Sequence, residues 1–382
     1  MSINKTISHF KAFLLFTLVN IPKINLISVP GYDQGLRLDD ILLTVFLISA
    51  GFSNKIQLLN KARVKSLILF MFVSVLLSFY LGRETGFGSV IFLLRWIEYF
   101  LLINLYGPLI KSSQFHTLVK STIILQAIII AFQTINGIPR PFGTMAGPWE
   151  VSIILLLLAP LLIEKGKNIF WMGITLSAVI LTKTKTAYVV LALYFLILII
   201  RKFPKFKWII ISSVIVLILE FRLYWIEIYQ ITKESLYPFI AKAYSGGNPE
   251  SINFYDLLGG TLPPSIAMRI NMWSEMLIKH ISYSLYPLVW FIGIGPGNGG
   301  IIVDSLYIRL LFEFGLIGTF LFFRWFIYIL KKLNLLQIIC VLVFSTTIDI
   351  VTSSKVMTVI TLIYLYQKNN GNNNFHLLLS SK

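Results

Sequence analysis

Charged residues are scarce in this chain. They make up 13% of its 382 residues, whereas 57% are hydrophobic. An ordinary soluble domain carries about 25% charged residues, so this composition excludes a water-soluble globular protein as well as a disordered one. Apolar runs near twenty residues long recur instead, and such runs are typical of membrane-spanning helices. The sequence therefore predicts an all-α, polytopic membrane protein.

Cysteine and acidic residues are also few. Cys340 is the one cysteine, which excludes an intrachain disulfide and a cysteine-rich zinc site. No Asp-x-Asp motif occurs, so we expect neither a metal nor another cofactor. The 16 acidic residues face 33 basic ones. In a membrane protein such an excess anchors cytoplasmic loops, so nucleic acid is not an expected partner.

Twelve apolar segments are predicted to span the membrane. They cover residues 9–28, 40–54, 66–82, 86–110, 117–135, 150–164, 168–182, 186–200, 208–221, 303–330, 335–352 and 355–366. With the N-terminus inside, seventeen Lys and Arg residues fall on the inside and six on short outside loops. This alternation predicts that both termini are cytoplasmic. The short spans 40–54 and 355–366 require interior packing or tilted neighbours.

The chain is predicted to form a single membrane domain, residues 1–382, with two distinctive parts. Residues 222–300 form a long extracytoplasmic loop whose many aromatic residues argue against disorder. They suit amphipathic helices at the membrane interface, such as residues 265–280. Residues 367–382 form a polar cytoplasmic tail.

Charged residues inside predicted spans are candidates for a functional site, because burying a charge in a membrane is costly. Arg95 lies near mid-depth, with Glu98 three residues later on the same helix face. Arg309 and Glu313 are spaced as an i, i+4 pair. Each set is either a structural ion pair or part of a cavity that holds an anionic group.

Acidic residues at the outer ends of spans have two readings as well. Asp304 and the pair Asp39-Asp40 stand where a helix begins, so helix capping explains them, and a base or metal site is the alternative. Asp349 is expected to pair with the nearby Lys355.

Two outside segments and one histidine are further candidates. Thr182–Thr186 contains Lys183 and Lys185, which suit either a diphosphate cradle or simple contact with lipid headgroups. The glycine-rich segment 293–300, with Gly295 and Gly297, could bring backbone N–H groups close to an anion. His280 is the one histidine predicted to face out, and it is either packed or catalytic.

Four stretches of the chain resemble the O-antigen polymerase and O-antigen ligase family of bacterial envelopes. They are Phe92–Phe100 (FLLRWIEYF); Leu181–Tyr188 (LTKTKTAY); Met268–Trp273 with Arg269; and Phe291–Gly297 (FIGIGPG) followed by Asp304–Tyr307 and Phe312–Gly318 (FEFGLIG). The last stretch is the most specific of the four. The second carries lysine where the family has arginine.

The resemblance implies a GT-C-like sugar-transferase fold in the bacterial inner membrane, acting at the outer face on oligosaccharides linked to undecaprenyl diphosphate. It implies catalytic roles for Arg269, Asp304, Glu313 and His280. The residues that it places in substrate binding are Arg95, Lys183, Lys185, Trp273, Gly295, Gly297 and Arg309. Membrane lipid is an expected partner, and a chain-length regulator protein is a candidate one.

Three activities remain open at this point. A polymerase moves the growing glycan onto the next lipid-linked repeat unit, whereas a ligase moves the finished glycan onto the lipid A core. Ligases of this family have a His-Asn pair after the glycines, where this chain has Asp304-Ser305, so polymerase is favoured. A lipid-linked oligosaccharide flippase is the competing transporter, although it predicts two related halves and short loops.

Overall fold

A computed structural model provides the structure of the protein. It describes residues 3–29, 32–53, 61–80, 86–103, 112–163, 169–203, 288–296 and 305–369, together with scattered positions between residues 204 and 287. The predicted span 208–221, most of the loop 222–300 and nearly all of the tail 367–382 lie outside the described residues.

The described part of the chain is mostly helical. In chain order its elements are α1 (Ile3–Asn20), β1 (Asn25–Val29), β2 (Tyr32–Arg37), α2 (Leu38–Ser53), α3 (Lys61–Tyr80), α4 (Gly86–Ile103), α5 (Ser112–Ile135), α6 (Pro148–Ile163), α7 (Ile169–Leu181), α8 (Lys185–Lys202), α9 (Val289–Ile292), α10 (Leu306–Arg309), a π-helical turn (Leu310–Phe314), α11 (Gly315–Leu330), α12 (Leu335–Thr347), a 3-10 turn (Ile350–Thr352) and α13 (Ser354–Asn369). Except for 208–221, every predicted span overlaps one or more of these helices.

Two of the helical stretches, Ser112–Ile135 and Leu306–Leu330, are long and apolar enough to cross a membrane. Exposed apolar side chains such as Ile128, Phe132 and Phe320 line their surfaces. These features give the described part of the chain the character of a membrane protein.

Helices α6 and α13 form the centre of the bundle. Residues 150–162 of α6 and 353–365 of α13 are buried throughout, and the two helices pack on each other. A helix that is hydrophobic on all sides is stable only when other helices surround it. The interior packing expected for span 355–366 is therefore confirmed. Helix α2 differs, because it lies at the periphery with Ile41, Val45 and Ile48 exposed.

A short antiparallel hairpin, β1 and β2, follows the first helix. The sequence predicts a single span over 9–28, but α1 ends at Asn20, and Pro22 lies two residues later. The apolar residues after Pro22 enter strand β1 instead. The all-α prediction is wrong for this segment.

The run from Leu306 to Leu330 contains a π-helical turn that is packed against a glycine-rich segment. The N–H groups of Ile294 and Gly295 donate to the carbonyls of Phe312 and Glu313, both at 2.9 Å. A Cβ on Gly293 would lie 2.2 Å from the carbonyl oxygen of Glu313, and Gly293 itself has φ +74°. Only glycine tolerates both the contact and that backbone angle.

Candidate functional site

A buried ion pair joins α2 to the middle of α4. Arg95 donates through Nε and Nη2 to the two carboxylate oxygens of Asp40, at 3.0 and 2.8 Å. Asp40 lies in the first turn of α2 and also accepts from the backbone N–H of Arg37 at 3.0 Å, so it caps the helix as predicted. Glu98 accepts from Thr44 at 2.6 Å and interacts with Arg95 only electrostatically, so the carboxylate that Arg95 is shown to hydrogen-bond is Asp40 and not Glu98.

A second buried cluster surrounds Arg309 at the π-helical turn. Its Nε lies 3.3 Å from Oε1 of Glu313, which confirms the predicted i, i+4 pair. Its Nη1 donates to Asp349, and its guanidinium lies 5.3 Å from the ring centroid of Phe92. Asp349 therefore pairs with Arg309 and not with Lys355 as expected. π-Helical turns in proteins frequently occur at functional sites.

The start of α13 holds a third group of charges. The hydroxyl of Ser353 donates to Glu150, and that of Ser354 donates to Asp39. Lys355 is 1% exposed and donates to the backbone carbonyl of Ile21. Helices α2, α6 and α13 thus place charged side chains around the start of α13.

These three groups lie at the same end of the bundle. Tyr99, one turn from Arg95, donates to the carbonyl of Val351, two residues after Asp349. The predicted alternation of inside and outside loops along the chain assigns this end of the bundle to the outer face of the membrane. Among the described residues the groups comprise four buried cations, Arg37, Arg95, Arg309 and Lys355, and five buried carboxylates, Asp39, Asp40, Glu150, Glu313 and Asp349. Their charges are therefore nearly balanced.

The turn that carries Lys183 and Lys185 is divided between two environments. The hydroxyls of Thr182 and Thr184 are buried and bond to Ser152, with Thr182 at 2.8 Å and Thr184 at 3.2 Å. Both lysine side chains are exposed. A cradle that combines these lysines with both hydroxyls is thus wrong, because the hydroxyls point into the bundle.

The glycine-rich segment also serves the packing of the bundle. The N–H of Gly295 is engaged by the carbonyl of Glu313, so it is not available to an anion, and that predicted role is wrong for this residue. Gly297, Asp304 and His280 lie outside the described residues.

Part of the long outside loop docks on the same region. Trp273 packs against a small apolar cluster formed by Met276, Val289, Ile294 and Phe312. Phe312 belongs to the π-helical turn. Arg269 lies four residues before Trp273, and its side chain is half-buried. The arginine-bearing segment of the loop therefore lies next to the turn that carries Glu313.

From the sequence alone, Arg37 and Glu150 have no role beyond loop charges, and Lys355 is predicted only as a partner for Asp349. A signal for the two cations was present, because both depart from the positive-inside trend. For Glu150 the sequence holds no such signal, since its partner Ser353 lies 203 residues away.

No protein-family model matches the chain, and no curated protein matches it. Within the described residues, no group of three or more His, Cys, Asp and Glu residues could hold a metal ion.

Proposed function

We propose that this chain is a surface-polysaccharide polymerase of the inner membrane. It transfers a growing glycan from undecaprenyl diphosphate onto the next lipid-linked repeat unit, at the outer face. The twelve predicted spans, with both termini in the cytoplasm, belong to this proposal.

One observation carries the proposal: the four stretches that resemble the polymerase and ligase family come together around the π-helical turn. Phe92 lies under Arg309, and Trp96 contacts Phe314 with ring centroids 6.1 Å apart. Trp273 packs beside Phe312. The first two contacts join segments that are more than two hundred residues apart in sequence.

The two parts of the fourth stretch contact each other, and the second stretch reaches the same region. The backbone of Gly293–Gly295 is bonded to that of Phe312 and Glu313. Thr186 bonds to Thr347 at 2.9 Å, two residues before Asp349. Motifs that matched by chance have no reason to meet at one buried, charged turn, so the convergence supports a shared site.

The proposed reaction breaks the bond between the anomeric carbon of the donor glycan and a diphosphate oxygen. A hydroxyl of the acceptor sugar attacks that carbon, and the diphosphate departs with the bonding electrons. Arginines are suited to hold the departing diphosphate, because a planar guanidinium group can donate two parallel hydrogen bonds to its oxygens. Arg269 is the assigned donor. Arg309 holds Glu313 and Asp349 in place, and Arg95 orients Asp40 and α2.

The attacking hydroxyl must lose a proton. Glu313 is assigned as its acceptor, since it is fully buried beside Arg309 and lies on the turn where the motifs converge. The aromatic residues of the outside loop, Trp273 among them, offer faces on which sugar rings stack.

The test is a gel of surface polysaccharide from a strain that lacks this chain. Collapse of the ladder to a single repeat unit on the core supports the polymerase. Loss of all units, with long polymer retained on the lipid carrier outside, indicates a ligase instead. Lipid-linked units stranded inside indicate a flippase, and an unchanged ladder refutes the envelope-glycan assignment altogether.

Arg269→Ala provides a residue-level test in the same strain. We expect this variant, at normal membrane levels, to make no long-chain product. Arg324→Ala is the matched control, because Arg324 lies exposed on α11. Wild-type product from Arg269→Ala contradicts the role assigned to Arg269.

A further inference from the structure

Two buried side chains that interact electrostatically each carry a polar atom whose hydrogen-bonding capacity is unused. Arg37 ends β2 and Asp39 begins α2, and their side chains are 4% and 2% exposed. Within the described part of the chain, neither Nε of Arg37 nor Oδ1 of Asp39 has a hydrogen-bond partner. Leaving such atoms unsatisfied costs free energy, so a native site of this kind requires an explanation.

The neighbouring polar groups are already engaged elsewhere. The second oxygen of Asp39 accepts from Ser354. Glu150 accepts from Ser353 and from the backbone N–H of Ala146, the latter at 2.7 Å. The surrounding side chains therefore hold the two unused atoms in place without satisfying them.

The charge around these atoms favours a neutral ligand over an anion. In the described part of the chain, three cations and three carboxylates lie within range of mutual electrostatic interaction here. The cations are Arg37, Arg95 and Lys355, and the carboxylates are Asp39, Asp40 and Glu150. Burial, followed by repulsion from Arg95, lowers the pKa of Arg37, and the carboxylates oppose this shift. A phosphate entering here would meet these carboxylates.

The unused atoms are one donor and one acceptor. A pair of adjacent sugar hydroxyls matches them, because each hydroxyl both donates and accepts a hydrogen bond. One hydroxyl accepts from Nε of Arg37, and its neighbour donates to Oδ1 of Asp39. This arrangement satisfies both buried atoms and adds no charge to the balanced group.

We propose that Arg37 and Asp39 form a binding subsite for a sugar residue that carries two adjacent hydroxyls. The inference rests on the proposed function, in which this sugar belongs to the incoming acceptor repeat unit. The subsite adjoins Asp40 in sequence and hence the Asp40–Arg95 pair. The polymerase would then hold its acceptor at the start of α2 and its donor diphosphate near Arg269.

The experiment measures binding of the repeat-unit oligosaccharide to the full chain in lipid nanodiscs. The probe is released by mild acid from the lipid-linked intermediates of a strain that lacks this chain, and saturation-transfer-difference NMR detects it. Two variants alter the subsite. Asp39→Asn keeps the shape but places a donor where an acceptor is needed, and Arg37→Lys removes Nε. Arg140→Lys, at an exposed arginine in the 136–147 loop, is the matched control.

We expect the wild type and Arg140→Lys to bind the probe equally, and both subsite variants to bind it about tenfold or more weakly, as loss of a charge-assisted hydrogen bond implies. Unchanged size-exclusion profiles and melting temperatures establish that the variants are folded. Wild-type affinity in both folded variants overturns the subsite. So does displacement of the probe by inorganic diphosphate, since it shows an anion site.

The outcome separates this inference from the proposed function. If the ladder collapses in the deletion strain and both subsite variants bind the probe normally, the subsite is refuted and the polymerase function is supported. An unchanged ladder, together with weakened binding in both variants, refutes the polymerase and supports a sugar site.

Discussion

Removing the carboxylate of Asp40 should strongly destabilise the bundle. The side chains of Asp40 and Arg95 are 5% and 3% exposed, and they share two hydrogen bonds of 2.8 and 3.0 Å. Asp40→Leu leaves the guanidinium buried without its counter-charge. Breaking a buried pair from one side costs about 3–5 kcal/mol, because the remaining charge stays desolvated.

The double variant Asp40→Leu/Arg95→Met separates this cause from a simple loss of packing. When both charges are replaced by apolar side chains, the cost falls to near zero. The free energy of unfolding, measured by SDS titration with circular dichroism, should therefore be higher for the double variant than for Asp40→Leu alone. Arg140→Leu is the exposed control, expected within about 0.5 kcal/mol of the wild type. A double variant as unstable as the sum of its single changes would refute the reasoning.

The same titration checks three further predictions. Gly293→Ala should lower the free energy of unfolding by at least about 3 kcal/mol, because the new Cβ lies 2.2 Å from a carbonyl oxygen and the residue has a positive φ. In the control Gly173→Ala the new Cβ has nothing within 4 Å, so this variant should stabilise α7 by about 0.5–1 kcal/mol. Thr182→Val should lower the free energy of unfolding by about 1 kcal/mol, because the hydrogen bonds of the hydroxyl are lost. The control Lys183→Gln should stay within about 0.5 kcal/mol of the wild type. Equal effects of the two substitutions would contradict the inward orientation of the Thr182 hydroxyl. Lys355→Met should cost about 1–3 kcal/mol, because a backbone carbonyl and two carboxylates lose their cation; a stabilised variant would contradict this account of the buried lysine.

Hydropathy and length were enough to locate the helices. A run of apolar residues must satisfy its backbone internally wherever water is absent, and a helix does so within one segment. Spans such as 117–135 and 335–352 therefore contain α5 and α12. The hairpin after α1 was missed because the residues of β1 are largely apolar and were read as the end of the first span. Pro22 before β1 and Pro30-Gly31 between the two strands mark the change.

The partners of the charged residues were harder to predict. Helical periodicity finds neighbours on the same helix, which is why the Arg309–Glu313 pair was predicted correctly. It cannot find partners on other helices, so Arg95 was assigned to Glu98 when its carboxylate is supplied by Asp40, 55 residues earlier. The π-helical turn could not be predicted from helical periodicity either, because it depends on contact with the glycine-rich segment.

The central claim is that the turn carrying Arg309 and Glu313 performs glycan transfer. The most direct test complements the deletion strain with Glu313→Gln, which keeps the shape of the side chain but removes the proton acceptor. Glu98→Gln is the matched control, since Glu98 bonds to Thr44 at the periphery of the bundle. With equal membrane levels, we expect Glu98→Gln to restore the long-chain ladder and Glu313→Gln to leave a single repeat unit on the core. A full ladder from Glu313→Gln would contradict the claim.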